Sequence, residues 1–207
     1  PRNDWEMLAL AQHHMLPTRF IDWTANPLVA LYFATRETEK DNGGALLDSA
    51  VYVLIQEPVS YTDLLETRLE EAIENLRTKL AKEDSQLEEA DAEASVKRIK
   101  EQIAAEQKVK DEILKELSPF TISTNVIYDP PHVSPRIRAQ DAALLACFNP
   151  LDPLEEKDYI EIIIKATAHD EIRKRLDLYG VFDKQLYPDL DGMAKWLKFH
   201  EFETYLS

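Results

Sequence analysis

The greatest density of chemically capable side chains lies in Gln12-His13-His14-Met15-Leu16-Pro17-Thr18-Arg19-Phe20-Ile21-Asp22-Trp23-Thr24. Two imidazoles, a guanidinium, a carboxylate, an indole and two hydroxyls fall within this block. A strand ending in Asp22-Trp23-Thr24 ahead of a helix N-terminus would set a carboxylate, an aromatic face and a hydroxyl at one sheet edge, where loops commonly hold ligands. The same residues admit a structural reading: Arg19 pairs with Asp22, Trp23 fills core and Thr24 caps the following helix. The adjacent histidines do not make a metal site, because neighbours on a helix diverge by about 100° and no Asp, Glu or His stands four residues away.

Further candidates lie late in the chain. In Pro135-Arg136-Ile137-Arg138-Ala139-Gln140, strand alternation would put Arg136 and Arg138 on one face, either as a ligand-facing pair or as a solvated or ion-paired surface. Asp189 and Asp191 are expected to cap a helix; the remaining carboxylates of a calcium loop are missing. No Gly-x-Ser-x-Gly elbow, Walker loop or Gly-x-Gly-x-x-Gly turn is present, and Cys147 has no paired base near it in sequence.

These residues need elements to hold them. All 4 glycines and all 11 prolines lie outside the stretch from Val59 to Ser118, so that stretch is expected to be helix former throughout. Leu69, Ile73, Leu76, Leu80, Leu87, Ala90 and Ala94 follow heptad spacing, and Val96, Ile99, Ile103, Ile113 and Leu117 follow another register. The phase break between Lys82 and Ser95 predicts a turn, hence an antiparallel coiled-coil hairpin over residues 59–118 inserted into a host domain of residues 1–58 and 119–207. One long helix is the alternative. Helices are expected over Asp4–Met15, from Pro27 to Thr35, over Ala168–Tyr179 and over Asp189–Leu206. Strands are expected over Thr18–Asp22, Ala50–Ile55, Ile122–Tyr128 and Tyr159–Ala166, while Ile137–Phe148 suits either state. Without regular βαβ spacing, the fold class is α+β, with a small, mostly antiparallel sheet flanked by helices.

Composition bounds the setting. The 207 residues carry 24 Lys and Arg against 39 Asp and Glu, a formal charge of -15. Long-range repulsion of polyphosphate leaves nucleic acid only as a locally positioned substrate. A single cysteine permits no intramolecular disulfide, which suits a reducing, cytoplasmic location. No apolar run reaches the roughly 20 residues of a membrane span. The abrupt opening on Pro1 reads as a fragment of a longer protein.

The run Trp5-Glu6-Met7-Leu8-Ala9-Leu10-Ala11-Gln12-His13-His14-Met15-Leu16-Pro17-Thr18-Arg19-Phe20-Ile21-Asp22-Trp23-Thr24-Ala25-Asn26-Pro27-Leu28-Val29-Ala30-Leu31-Tyr32-Phe33-Ala34 resembles the signature block of the FRG domain family, named for a Phe-Arg-Gly motif. Arg136-Ile137-Arg138-Ala139-Gln140 and Leu186-Tyr187-Pro188-Asp189-Leu190-Asp191-Gly192 resemble two later blocks in the same order. The chain departs from the pattern at three places. The Phe-Arg-Gly triplet would lie upstream of Pro1, Met15 stands where Gly is usual, and Asp141-Ala142-Ala143-Leu144 replaces a Gly followed by a Phe.

The family layout resembles the ADP-ribosyltransferase fold. The resemblance implies NAD as substrate, with Asp22, Thr24 and Gln140 as catalytic candidates and His13, Arg19, Trp23, Arg136 and Arg138 as cofactor-binding candidates. Nicotinamide departs from an oxocarbenium-like ribose, so Asp22 or Gln140 would stabilise positive charge and the arginines would grip the pyrophosphate. For Gln140 the other reading is a buried amide bonded to backbone. The resemblance further implies modification of a protein or nucleic acid, as by the toxin of a bacterial toxin–antitoxin or antiphage system. An antitoxin or other protein partner would dock at the helical hairpin. The alternative is a catalytically silent interaction module whose hairpin binds that partner.

Overall fold

A computed structural model describes residues 1, 3–56, 58–84, 92–130 and 135–203. Along the chain run α1 (Asp4–His13), β1 (Phe20–Thr24), α2 (Pro27–Thr35), β2 (Ser49–Leu54), β3 (Val59–Ser60), α3 (Tyr61–Asp84) and α4 (Ala92–Glu116). There follow β4 (Val126–Tyr128), α5 (Pro135–Ala139), β5 (Ala142–Ala146), β6 (Tyr159–Ile164), α6 (His169–Leu178), α7 (Asp183–Leu186) and α8 (Leu190–Lys198). The fold is mixed α and β, as expected, and it divides into two compact units. No helix among the described residues is long and apolar enough to cross a membrane.

The first unit comprises Pro1–Arg19, Val59–Tyr128 and Ala146–Phe148, and residues 59–118 fall within it. Asn3 caps α1 by accepting the Glu6 N–H at 2.9 Å. Trp5, only 1% exposed, packs on Tyr61 at 4.7 Å and Tyr128 at 5.2 Å between ring centroids. Its indole N–H donates to the Leu117 carbonyl at 2.5 Å. One side chain thus touches the first residue of α3 and the residue just past α4, so the two helices must fold back on each other. Truncating a Trp buried in this way costs about 3–5 kcal/mol. Ser118 donates to Asp4 at 2.9 Å and Arg19 to the Pro119 carbonyl at 2.6 Å, tying both the start of α1 and the segment after it to the end of α4. β3 and β4 form a short parallel pair, Val59 opposite Val126.

The helical pair departs from the expected coiled coil. Ile113 is buried, but Ile99 and Ile103 are 56% and 61% exposed, so the seam does not continue through them. The half-buried stripe of α4 runs instead through Arg98, Ala105, Val109 and Ile113. Leu87 and Ala90 of the expected heptads lie outside the described residues, as does Leu206 at the expected end of the last helix.

The second unit comprises Phe20–Pro58, Asp129–Leu145 and Asn149–Ser207. Helix α2 opens as Pro27 predicted, with Asn26 accepting the Leu28 N–H at 3.0 Å. Its buried face, Val29 and Tyr32, meets Leu176 of α6 and Leu186 of α7. β2 and β6 pair antiparallel from Ser49 opposite Ile164 to Leu54 opposite Tyr159. β1 pairs with β5, and the Ala25 N–H reaching the Asp141 carbonyl joins the end of one to the start of the other, which makes the pair antiparallel. His169, 1% exposed, sits between the Thr38 and Ser49 hydroxyls at 2.8 and 3.0 Å, tying α6 to β2.

Several expected boundaries move. β1 lies two residues later than expected and β4 keeps only the end of its predicted span. The ambiguous 137–148 region resolves into a helix end and a strand, α5 and β5, divided by Asp141 at φ 44°. The short α7 had no periodic signal at all.

Candidate functional site

Strand β1 carries Asp22, Trp23 and Thr24 to the threshold of α2. Asp22 is exposed, while Trp23 is half-buried and its indole N–H is buried without a hydrogen-bond acceptor among the described residues. Thr24 is an anchor. Its hydroxyl donates to the Gln140 carbonyl at 2.7 Å and accepts the Asn26 N–H at 3.1 Å, leaving the capping of α2 to Asn26. Asn26 also donates through its side chain to Asp141 at 3.3 Å. The end of β1 is thereby stitched to the turn between α5 and β5.

Gln140 lies in that turn rather than on a strand. Its amide N–H₂ donates to the Leu186 carbonyl at 3.1 Å, the backbone-bonded arrangement set against a catalytic one in the sequence. Its side-chain oxygen is bonded by no described residue.

Arg136 and Arg138 are not on one strand face, because Pro135 opens a helical turn and both residues belong to α5. Two residues along a helix are separated by about 200°, so the arginines diverge. Arg138 is exposed, whereas the Arg136 guanidinium stands 4.5 Å from the centre of the Tyr187 ring. The Arg136 side chain makes no hydrogen bond or ion pair with a described residue, though its backbone carbonyl accepts the Gln140 N–H at 3.1 Å. His13 and Arg19 belong to the first unit: His13 closes α1 with its ring 5.4 Å from that of His14, and Arg19 holds the Pro119 carbonyl with its guanidinium 5.8 Å from the Phe120 ring.

Around Tyr187 the structure gathers residues that spacing alone did not single out. The Arg36 guanidinium lies 5.6 Å from the ring centre and donates to the phenol oxygen at 2.6 Å. The Lys195 ammonium lies 5.9 Å from the same centre. Arg36 bonds Glu37 at 2.9 Å. Burial pulls the Arg36 guanidinium down, but the bond to Glu37 and the fields of Tyr187, Tyr32 and Glu37 outweigh it and hold it above its ordinary value. The same contact holds the Glu37 carboxyl below the usual range.

Tyr187 is fixed from several sides. The Gln140 amide holds the carbonyl before it, and Asp189 just after it caps α8 by accepting the Gly192 N–H at 2.8 Å. A Cβ on Gly192 would stand 2.0 Å from the Tyr187 carbonyl oxygen, so only glycine fits. The neighbouring Tyr32 hydroxyl donates to Asp183 at 2.7 Å, and burial followed by that carboxylate pushes the phenol far up. Tyr187 and Gly192 belong to the Leu186–Gly192 segment and were the available signal; Arg36 and Lys195 had none, because their meeting at one ring is tertiary.

The FRG domain family model matches residues 1–43, the segment that runs from α1 through α2. No curated protein and no solved structure matches the chain. The matched segment has β1 and its Asp22-Trp23-Thr24 end at its centre.

Proposed function

We propose that this protein is an NAD-dependent ADP-ribosyltransferase that modifies a macromolecule, protein or nucleic acid, in the manner of a bacterial toxin–antitoxin or antiphage toxin. The observation that carries this reading is Arg136, whose guanidinium is stacked on Tyr187 with no described acceptor for its N–H groups, beside the turn that Thr24 and Asn26 tie to β1. In the reaction the ribose–nicotinamide C–N bond breaks with its electron pair leaving on nicotinamide, and an acceptor nucleophile forms the new bond at the same carbon. The side-chain oxygen of Gln140 or the exposed carboxylate of Asp22 would face the developing positive charge, and Arg136 would hold a pyrophosphate oxygen pair. Thr24 acts in this scheme as the positioning residue that fixes the Gln140 backbone.

A second reading, a silent interaction module, is favoured by Ile99 and Ile103, which leave apolar surface exposed on α4 for a protein partner. Transfer of label from isotopically labelled NAD into the protein and RNA fractions of a lysate separates the two. Label retained on one fraction with wild-type protein, and lost with folded Asp22→Ala, is the expected result. Absence of both transfer and NAD binding by calorimetry would overturn the transferase and favour the module.

A further inference from the structure

We infer that Arg36, Arg136, Lys195 and Tyr187 form a diphosphate-binding site in which the Glu37 carboxylate is a resident competitor. The inference deepens the NAD reading above, since a dinucleotide carries a diphosphate, yet it stands on a different set of contacts. Three cations brought by three separate elements share one aromatic ring, at 5.6, 4.5 and 5.9 Å from its centre. Among the described residues only one carboxylate bonds any of them, that of Glu37 on Arg36, and its side chain is 74% exposed. In a chain of net charge -15 this is a local excess of positive charge.

Like charges gathered around one ring repel one another, and a multiply charged anion relieves that repulsion where a single carboxylate does not. The donor set selects the anion. Two guanidinium forks match pairs of phosphate oxygens, the ammonium supplies a point charge, and the Tyr187 hydroxyl, already accepting from Arg36, still has its own proton to donate. A diphosphate offers oxygens to both forks at once. The ring that organises the cations is held by Gln140 below and by the glycine contact at Gly192, so the site is formed before the ligand arrives.

Glu37 meets the outer side of Arg36 and reaches one guanidinium nitrogen, Nη2, while Nη1 serves Tyr187. An arriving phosphate must share or displace that carboxylate. Removing its charge frees Nη2 and takes a negative charge away from the site without touching the cations.

The test is calorimetric titration with inorganic pyrophosphate, with inorganic phosphate and ADP-ribose as comparison arms. Wild-type protein is expected to bind pyrophosphate more tightly than phosphate, with affinity falling as salt rises. Arg136→Ala should weaken pyrophosphate about tenfold or more, consistent with loss of a charge-assisted hydrogen bond. Glu37→Gln, at an exposed position that leaves the fold intact, should tighten it about threefold to tenfold. Arg138→Ala, on a different side of α5, should leave it unchanged. The inference is overturned if wild-type protein fails to bind pyrophosphate, if Arg138→Ala weakens binding as much as Arg136→Ala, or if Glu37→Gln gives no tightening. ADP-ribose binding comparable to pyrophosphate identifies a nucleotide diphosphate as the source; pyrophosphate alone identifies a free polyphosphate, and both uphold the site. Pyrophosphate binding without label transfer from NAD would keep the site and remove the transferase, and transfer without pyrophosphate binding would do the reverse.

Discussion

Replacing Met15 by glycine should stabilise the protein, and the size of the gain can be worked from the end of α1. The Leu16 N–H bonds the Ala11 carbonyl at 3.0 Å and the Met15 N–H bonds the Gln12 carbonyl at 2.9 Å, the crossed pair of a Schellman cap. Its central residue must be left-handed, and Met15 has φ 63°. An L-residue there is strained by about 1–2 kcal/mol, against about 0.4–1 kcal/mol of extra unfolded-state freedom for glycine. The Met15 side chain is 86% exposed, so little packing is lost on removing it. The net gain is about 0.5–1 kcal/mol, or roughly 1–4 °C in Tm for a chain of this length. Scanning calorimetry of Met15→Gly beside Met15→Ala measures it. Alanine keeps the strained φ and should show no gain; Met15→Gly no more stable than Met15→Ala would refute the argument. The same reasoning separates Asp141, at φ 44°, because its carboxylate accepts from Asn26, and Asp141→Gly would lose that bond while relieving the strain, for a change near zero.

Gly192→Ala should destabilise the second unit by at least about 3 kcal/mol, since the new methyl would meet backbone at Tyr187 rather than a yielding side chain. Urea denaturation reads this directly, and an unchanged midpoint would show that Tyr187 is not held by that contact. Burial raises the Cys147 thiol above its ordinary value, only partly offset by Arg19, so its stabilising contribution is complete below the ordinary thiol range and is lost as pH climbs through the raised value. Stability of the wild type should then decline at alkaline pH with a component that Cys147→Ala removes. Equal alkaline slopes in the two proteins would contradict it.

Local rules foretold the parts of this fold that local rules build. Pro27 after Asn26 opened α2, Gly180 at φ 81° closed α6, and Asp189 capped α8, because each acts within a few residues of itself. The alternation of Ile160, Ile162 and Ile164 announced β6 in the same way. Arg136 and Arg138 were misplaced because a five-residue stretch carries too few positions to separate a period of two from one of 3.6, and the deciding features were Pro135 and the left-handed Asp141. Heptad spacing found the two long helices and the half-buried Leu69, Ile73 and Leu76 of α3, but on α4 it misjudged the face at Ile99 and Ile103, since a pair of helices covers only one stripe of each. Of the candidate site, Thr24, Gln140 and Arg136 were visible as residue types in a family block. Their partners Arg36 and Lys195 come to Tyr187 from other parts of the chain.

The placement of Trp5 has a consequence for how the protein is made. Its indole is satisfied by a carbonyl 112 positions away, and closing a loop of that length costs about 4 kcal/mol of chain entropy before any contact forms. The first unit also needs residues as late as Phe148, while the second begins at Phe20. During synthesis the two units therefore do not emerge one after the other, as successive domains ordinarily do, because parts of the second are made before the first is complete at Phe148. Helix α1 is made well before the end of α4 and must wait for Leu117 and Tyr128. A nascent chain stalled before Leu117 would expose that apolar face throughout, so chaperone dependence should concentrate there.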